Sequence, residues 1–158
     1  VSRSALEAMH GQVFGWALSR SDFDHAVAED LVQQAYMELL TGKARFDGQS
    51  SLQTFVFAVV QNLSRNRYRR LATRMRLMAR VAPEPGADIA PVEEEGHHEG
   101  LWQAVQSLPA RQRDIVELVF CRDLTIEEAS SVMGVATGTG RVHYDRAKKT
   151  LKSRLSND

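Results

Sequence analysis

Along the first part of the chain, apolar residues recur at intervals of three and four, the spacing that gathers them on one face of an α-helix. Leu6, Met9, Val13, Phe14, Trp16 and Ala17 predict an amphipathic helix from Ser4 to about Ser19, with Trp16 as a core anchor. Asp22 or Asp24 can cap a second helix, whose Val27, Leu31, Ala35 and Leu39 mark a buried face. Asp30, Gln33 and Gln34 lie elsewhere on that helix, and Gly42 ends it. Residues 43–50 are polar and turn-rich around a single aromatic, Phe46. Ser50 or Ser51 can cap a third helix with a dense apolar stripe of Leu52, Phe55, Val56, Val59, Val60 and Leu63. The stripe then gives way to charge: seven arginines fall between Arg65 and Arg80, with Tyr68 among them and no acid.

Helical spacing resumes at Leu101, Trp102, Val105 and Leu108, and Pro109 fits the first turn of a helix continued by Ile115, Val116, Leu118 and Val119. Thr125 and Glu128 have the spacing of a capping box, just ahead of the apolar set Ile126, Ala129, Val132 and Met133. Gly134 stops that short helix because glycine enters the left-handed conformation without a steric penalty, and Val135 can plug the angle that follows. A last helix starts near Thr137. It sets Tyr144, Ala147, Leu151 and Leu155 on one face and leaves Arg141, His143, Arg146, Lys148, Lys149, Lys152 and Arg154 largely on others. Two helices about a tight turn, the second basic, form a helix-turn-helix suited to the DNA major groove. The same spacing also describes an ordinary helical pair with a solvated charged face, so the motif alone leaves both readings open. The whole pattern predicts an all-α protein of two small helical domains, residues 1–80 and 101–158, the second a helix-turn-helix domain; no internal repeat is apparent.

Residues 81–100 separate the two. Pro83, Pro85 and Pro91 with Gly86, Gly96 and Gly100 oppose continuous helix, so this stretch is read as a flexible linker. It also changes the picture of charge. The formal net charge of +0 hides a segregation: eleven bases against seven acids over 1–80, six acids and no base over 81–100, and nine bases against seven acids over 101–158. The arginine run sets up a field that a polyanion would reduce, although a solvent-exposed helix end also tolerates cations. Cys121 is the only cysteine, which excludes an intrachain disulfide and a Cys-based zinc site and fits a reducing cytoplasm. His97 and His98 beside Glu99 point to different sides of a helix, and no other ligand cluster completes a metal site. No apolar run approaches the roughly twenty residues that span a bilayer, so no direct membrane insertion is expected. Residue 1 is Val, which leaves open whether residues precede it in the native chain. No nucleophile motif or Gly-rich phosphate loop appears in an organising context, so neither an enzyme, a cofactor nor a small-molecule substrate is expected.

Two separate stretches resemble one family, the extracytoplasmic-function group of bacterial RNA polymerase sigma factors. DLVQQAY at Asp30–Tyr36, FDGQS at Phe46–Ser50 and FVFAVVQN at Phe55–Asn62 are similar to the family's second domain. LPARQR from Leu108 through KKTL ending at Leu151 is similar to its fourth. Their order and the linker between them make this conjunction far more specific than the helix-turn-helix alone. The chain departs from the pattern at Phe55, where Trp is usual, and Asn66, where Asp is usual. Gly140 replaces a β-branched residue, at a cost of about 1 kcal/mol in helix propensity. Ala136 replaces a capping Ser, and Thr137 could supply the cap instead, with the helix starting one residue later. These departures bear on −35 sequence preference more than on the family.

The resemblance implies a factor that binds core RNA polymerase and directs it to promoter DNA. Asp30, Gln33 and Gln34 would dock on the polymerase clamp helices. Phe46 would stack an unstacked base of the −10 element, Gln49 or Ser50 would bond its edge, and Asn62 would read or support a neighbour. The arginine run, Arg65 and Arg69 included, would hold phosphates. In the last helix Arg141, Val142, His143, Asp145 and Arg146 would face the −35 groove, with Arg141 and Arg146 reaching phosphate or guanine, Val142 a thymine methyl and Asp145 a cytosine amino group. The acidic linker would suit a channel built for RNA, and a soluble tether explains it equally well. An anti-sigma factor is the expected inhibitor. Two rival readings are a sigma-like decoy that sequesters such an inhibitor and a stand-alone helix-turn-helix regulator; the latter leaves residues 1–80 unexplained.

Overall fold

The computed structural model describes residues 2–79 and 99–156, all helix, turn or loop. The first expected helix is two, α1 (Arg3–Ala8) and α2 (His10–Arg20). They divide at Met9, whose N–H turns back to the Leu6 carbonyl at 3.3 Å in a tighter turn, yet Leu6, Val13, Trp16 and Ala17 still share one buried face. Asp24 is the residue that caps α3 (His25–Thr41), its carboxylate accepting from the Val27 N–H at 3.2 Å. Asp22 and the bulky Phe23 before it both hold positive φ, 51° and 62°, a strained connection. Ser51 rather than Ser50 caps α4 (Leu52–Met78), accepting from the Thr54 N–H at 3.1 Å. At 27 residues α4 is about 40 Å long and carries the described part of the arginine run as continuous helix.

One aromatic differs from the expected stripe. Phe57, not Phe55, is fully buried, and the Trp16 indole N–H donates to its carbonyl at 3.2 Å. The indole would otherwise be a buried donor without an acceptor, so this bond fixes α2 against α4.

In the second half, α5 (Glu99–Gln106) takes in the last two positions of the expected linker; residues 81–98, with His97 and His98, lie outside the described residues. Pro109 stands at the cap of α6 (Ala110–Val116) rather than inside its first turn. A π-helical turn, Glu117–Cys121, continues α6 and is capped by Arg122, after which Asp123 takes φ 58°. The helix-turn-helix is as expected: α7 (Ile126–Met133), a left-handed Gly134 with φ 71°, and α8 (Thr137–Ser156). The Thr125–Glu128 capping box is present in both directions, at 3.1 and 3.0 Å. Thr137 does not serve as the cap. It is the first helical residue, and the Ala136 carbonyl already accepts the Gly140 N–H at 2.9 Å.

Leu155 is 41% exposed, while Ala147 and Leu151 join Ala104, Val105, Leu108 and Val116 in a small core of the second half. The larger core does not stop at the domain boundary. It runs from Trp16, Phe57 and Val60 into Ile115, Leu118, Ala129 and Met133, so the two halves pack on one another, chiefly α4 against α7.

Candidate nucleic-acid interface

The outer face of α3 presents Asp30, Gln33 and Gln34 to solvent because Leu31, Val32 and Ala35 turn inward. Gln34 donates to Glu38 one turn on, at 3.4 Å. Beside Gln33 lies an apolar groove of about 270 Å³ lined by Phe14, Val32, Tyr36, Met37 and Leu40, with the Tyr36 hydroxyl and His10 Nδ1 3.0 Å apart at its edge. Desolvation there raises the Tyr36 pKa. Met37 and Leu40 are more than half exposed, an unusual display for residues of this size.

The loop after α3 holds Phe46 half-buried, its ring 5.5 Å from that of Phe55 at 47°. One side of the Phe46 ring therefore rests on the helix that follows. Asp47 accepts from the Gln49 N–H at 3.1 Å in a local turn that leaves the Gln49 side chain exposed, and Ser50 bonds the Ser51 carbonyl. Asn62 and Arg69 are exposed on α4. Arg65 is not: its guanidinium donates to the Met133 carbonyl at the end of α7, at 2.9 Å. Sequence reasoning grouped Arg65 with the phosphate-facing arginines and had no signal for this partner, which lies 68 positions away.

In α8, Arg141, Val142, Asp145 and Arg146 are exposed and share the outer side of the helix, whereas His143 is half-buried and stands apart from them. Tyr144 is held from two sides, by Phe120 at 5.9 Å and by the Lys148 ammonium at 4.8 Å. A basic concavity joins Arg146, Lys149 and Arg154 with Gln112 and Ser153.

What sets how α8 lies on α7 is Gly140. A Cβ placed there would meet Ser130 Oγ at 1.8 Å, Ser130 Cβ at 2.9 Å and Ile115 Cδ1 at 3.3 Å. The residue that sequence reasoning treated only as a propensity cost is the point where α8 lies directly against α7. The Ser130 hydroxyl donates to the Ile126 carbonyl at 2.7 Å, so it is both buried and satisfied.

The halves meet at charges that sequence reasoning did not single out. Arg20, 5% exposed, pairs with Asp114 and, at 3.4 Å, with Glu117, while its guanidinium lies 3.9 Å over the Trp16 ring. Glu117 also accepts from Ser19 at 2.8 Å and from Arg122 at 3.1 Å. Arg122 in turn reaches Gln12 at 2.9 Å. Among the described residues, no helix is long and apolar enough to cross a membrane, and no group of acidic, His or Cys side chains has metal-binding spacing.

Comparison with known proteins accounts for both halves. Residues 5–74 match the family description Sigma-70 region 2, and residues 98–151 match Sigma-70, region 4. The chain is 29% identical over 135 residues to the ECF RNA polymerase sigma factor SigF of Caulobacter vibrioides, covering 80% of this chain and 70% of that protein. It is 27% identical to the ECF RNA polymerase sigma factor EcfG of Rhodopseudomonas palustris, covering 81% and 71%. The fold is similar to that of the sigma factor RpoE of Bartonella quintana, solved with the anti-sigma factor NepR, at a TM-score of 0.76, 24% identity and 99% and 97% coverage. It is also similar to CnrH in complex with the cytosolic domain of CnrY, at a TM-score of 0.63, 22% identity and 98% and 88% coverage. With both regions present in order on one chain, the protein belongs to the extracytoplasmic-function sigma factors of bacterial RNA polymerase.

Proposed function

We propose that residues 1–80 and 101–158 act as two promoter grips of a specificity subunit that has no catalytic activity of its own and works in the cytoplasm. The protein binds core RNA polymerase, brings it to −35 and −10 elements and assists opening. The observation that carries this reading is the pairing, on one chain, of an exposed polar α3 face beside an apolar groove with an exposed basic face on α8.

Asp30, Gln33 and Gln34 contact the clamp helices, and the adjoining Met37 and Leu40 supply apolar area to the same contact. Phe46 offers its outer ring edge and face to an extruded −10 base, backed by Phe55 as a rigid support, with Gln49, Ser50 and Asn62 beside it. Arg69 holds phosphate, as does Arg65 once released from Met133. Arg141, Val142, Asp145 and Arg146 read and grip the −35 groove, with His143 at the margin. Residues 81–98 tether the two grips.

An anti-sigma factor is the natural regulator. A solved relative of this fold, RpoE of Bartonella quintana, is a complex with the anti-sigma factor NepR, and the exposed apolar residues beside α3 offer a surface to cover. Transcription reconstituted from purified core polymerase and this protein tests the reading. Promoter-specific transcripts are expected only with both present, and transcription indifferent to this subunit would refute it.

A further inference from the structure

We propose that the outer end of α4 is a docking seam for an acidic amphipathic helix of a protein partner, a surface distinct from both the α3 groove and the exposed basic face of α8. The last buried residue of α4 is Leu63, and residues 68–78 lie beyond the part of the helix that enters the core. The apolar pattern does not end there. Tyr68, Leu71, Met75 and Met78 follow at steps of three, four and three, the spacing of a and d positions in a coiled coil, and they are 74%, 39%, 58% and 61% exposed. Of the large apolar side chains exposed on this helix, only Leu77 falls off the seam. Four such residues in line along about 15 Å of helix make a patch that solvent alone does not explain.

The flanking residues select the partner. In the same register Arg67 and Arg74 occupy the g positions, Ala72 and Ala79 the e positions, and no acid occurs between Arg65 and Arg80. Charges at e and g set partner choice, so arginine there selects Glu, while alanine lets a second helix approach closely. Arg67, Arg70 and Arg74 have no ion-pair partner among the described residues. At its inner end the seam opens into a concavity of about 320 Å³, where Tyr68 and Leu71 meet Val27, with Asp22 and Asp24 in the same lining. An apolar side chain fits there, and the two carboxylates turn acid away from that end, so the partner's acids belong opposite Arg70 and Arg74.

Other occupants match less of this. An antiparallel second copy sets arginine against arginine, and a parallel one pairs it with alanine. DNA accounts for the charge and leaves the apolar seam in water. A bilayer surface suits a broader apolar face than a single seam. The chain's own acidic stretch contains Pro83, Pro85 and Pro91, which oppose the continuous helix that such pairing needs. Arg69, assigned above to phosphate, falls away from the seam by helical spacing, so the docking reading does not depend on the promoter reading.

Full-length protein and synthetic helical peptides, each about three heptads long, test this by fluorescence anisotropy at physiological salt. One peptide carries Leu at a and d with Glu at e and g. A second exchanges the Glu for Lys, and a third keeps the Glu but has Ala at a and d. The first should bind about tenfold or more tightly than either control. Met75→Asn should weaken that binding about tenfold, and Arg74→Glu should shift the preference toward the Lys peptide. Both residues are exposed, and circular dichroism checks that each variant keeps its helices. Equal binding of the Ala peptide would reduce the surface to a general polyanion site, and binding indifferent to Met75→Asn would put the peptide elsewhere; either result overturns the seam. Self-association in sedimentation that Met75→Asn abolishes would give the face to a second copy instead. Binding to vesicles of phosphatidylglycerol and phosphatidylcholine that the same change abolishes would give it to a bilayer. Peptide binding about tenfold tighter after Glu93→Gln, Glu94→Gln and Glu95→Gln together would give it to the chain's own acids. Transcription enters none of these readouts, so the promoter reading is decided separately.

Discussion

Gly140→Ala separates two physical effects that push in opposite directions. By propensity alone, alanine in an exposed helix interior stabilises by about 1 kcal/mol over glycine. The site is buried, however, and the new methyl would meet Ser130 Oγ at 1.8 Å and Ser130 Cβ at 2.9 Å. The hydroxyl can rotate, but the Cβ is anchored to α7, so relief requires the two helices to move apart. Overpacking of this kind costs about 1–3 kcal/mol, and the anchored contact places this case at the upper end. The net effect is a loss of about 2 kcal/mol, or a Tm lower by roughly 4–8 °C for a chain of this size.

Urea and thermal unfolding measure that loss, and binding to a −35 duplex measures its consequence, because Arg141 follows Gly140 directly and moves with α8. Adding Ser130→Gly removes the obstructing atoms. The double variant should recover about 1–2 kcal/mol relative to the sum of the single changes. A Gly140→Ala protein with a higher Tm than wild type would refute the close approach and leave propensity as the whole account.

Other consequences follow from the same geometry. Phe46→Ala should impair promoter opening, followed by fluorescence of a −10 base analogue, at least tenfold more than duplex binding; equal losses would remove the stacking role. Arg146→Ala should weaken −35 duplex binding and lower the slope of log affinity against log salt by about one, and an unchanged slope would exclude a phosphate contact. The N–H of Thr125 and the hydroxyls of Thr125 and Thr54 hold the Glu128 carboxyl below its ordinary pKa despite some desolvation. The stabilisation is therefore complete above the ordinary carboxylate range and fades as pH falls through the lowered folded value. Glu128→Gln, which can still complete the capping box, should flatten that acid limb of the urea midpoint; the same limb in both proteins would reject the assignment.

Much of the fold was legible because it obeys local rules. Asp24, Ser51, Thr125 with Glu128, and Gly134 each act within a few residues of themselves, and each sits at the boundary its chemistry implies. Periodicity was less reliable where two residues of similar character compete. Phe55 and Phe57 point to different sides of α4, the Phe57 ring packing beside Trp16 in the core and the Phe55 ring beside Phe46 at its edge, a choice the spacing alone does not make. The exposure of Arg141, Val142, Asp145 and Arg146 could be read because α8 has one evident apolar side, yet His143 lies nearer that side than expected. The contact between halves left no local trace. Arg20 and Glu117 stand 97 positions apart, each in a helix where a lone charge reads as solvated surface. Gly140 was misleading for a related reason: propensity is a property of one helix, whereas its use is set by the neighbour.

The contact between halves sets a cluster of buried charges beside an apolar core. An interface made only of apolar side chains would hold at least as firmly, since a buried ion pair often adds nothing over a hydrophobic replacement. On opening, however, such a surface would meet water at a cost of about 25 cal/mol for every Å² exposed, and it would favour aggregation. The contact here combines both kinds: Trp16, Phe57 and Val60 meet Ile115, Leu118 and Met133 in one apolar core, while Arg20, Asp114, Glu117 and Arg122 would recover their hydration on parting, which offsets the lost pairing. Closure therefore depends on many partners being satisfied together, and substituting one of them leaves the rest buried without compensation. The same logic applies to Arg65. It satisfies a carbonyl left open at the end of α7, and the phosphate role proposed for it would require exchanging that neutral acceptor for a charged one, a stronger charge-assisted partner.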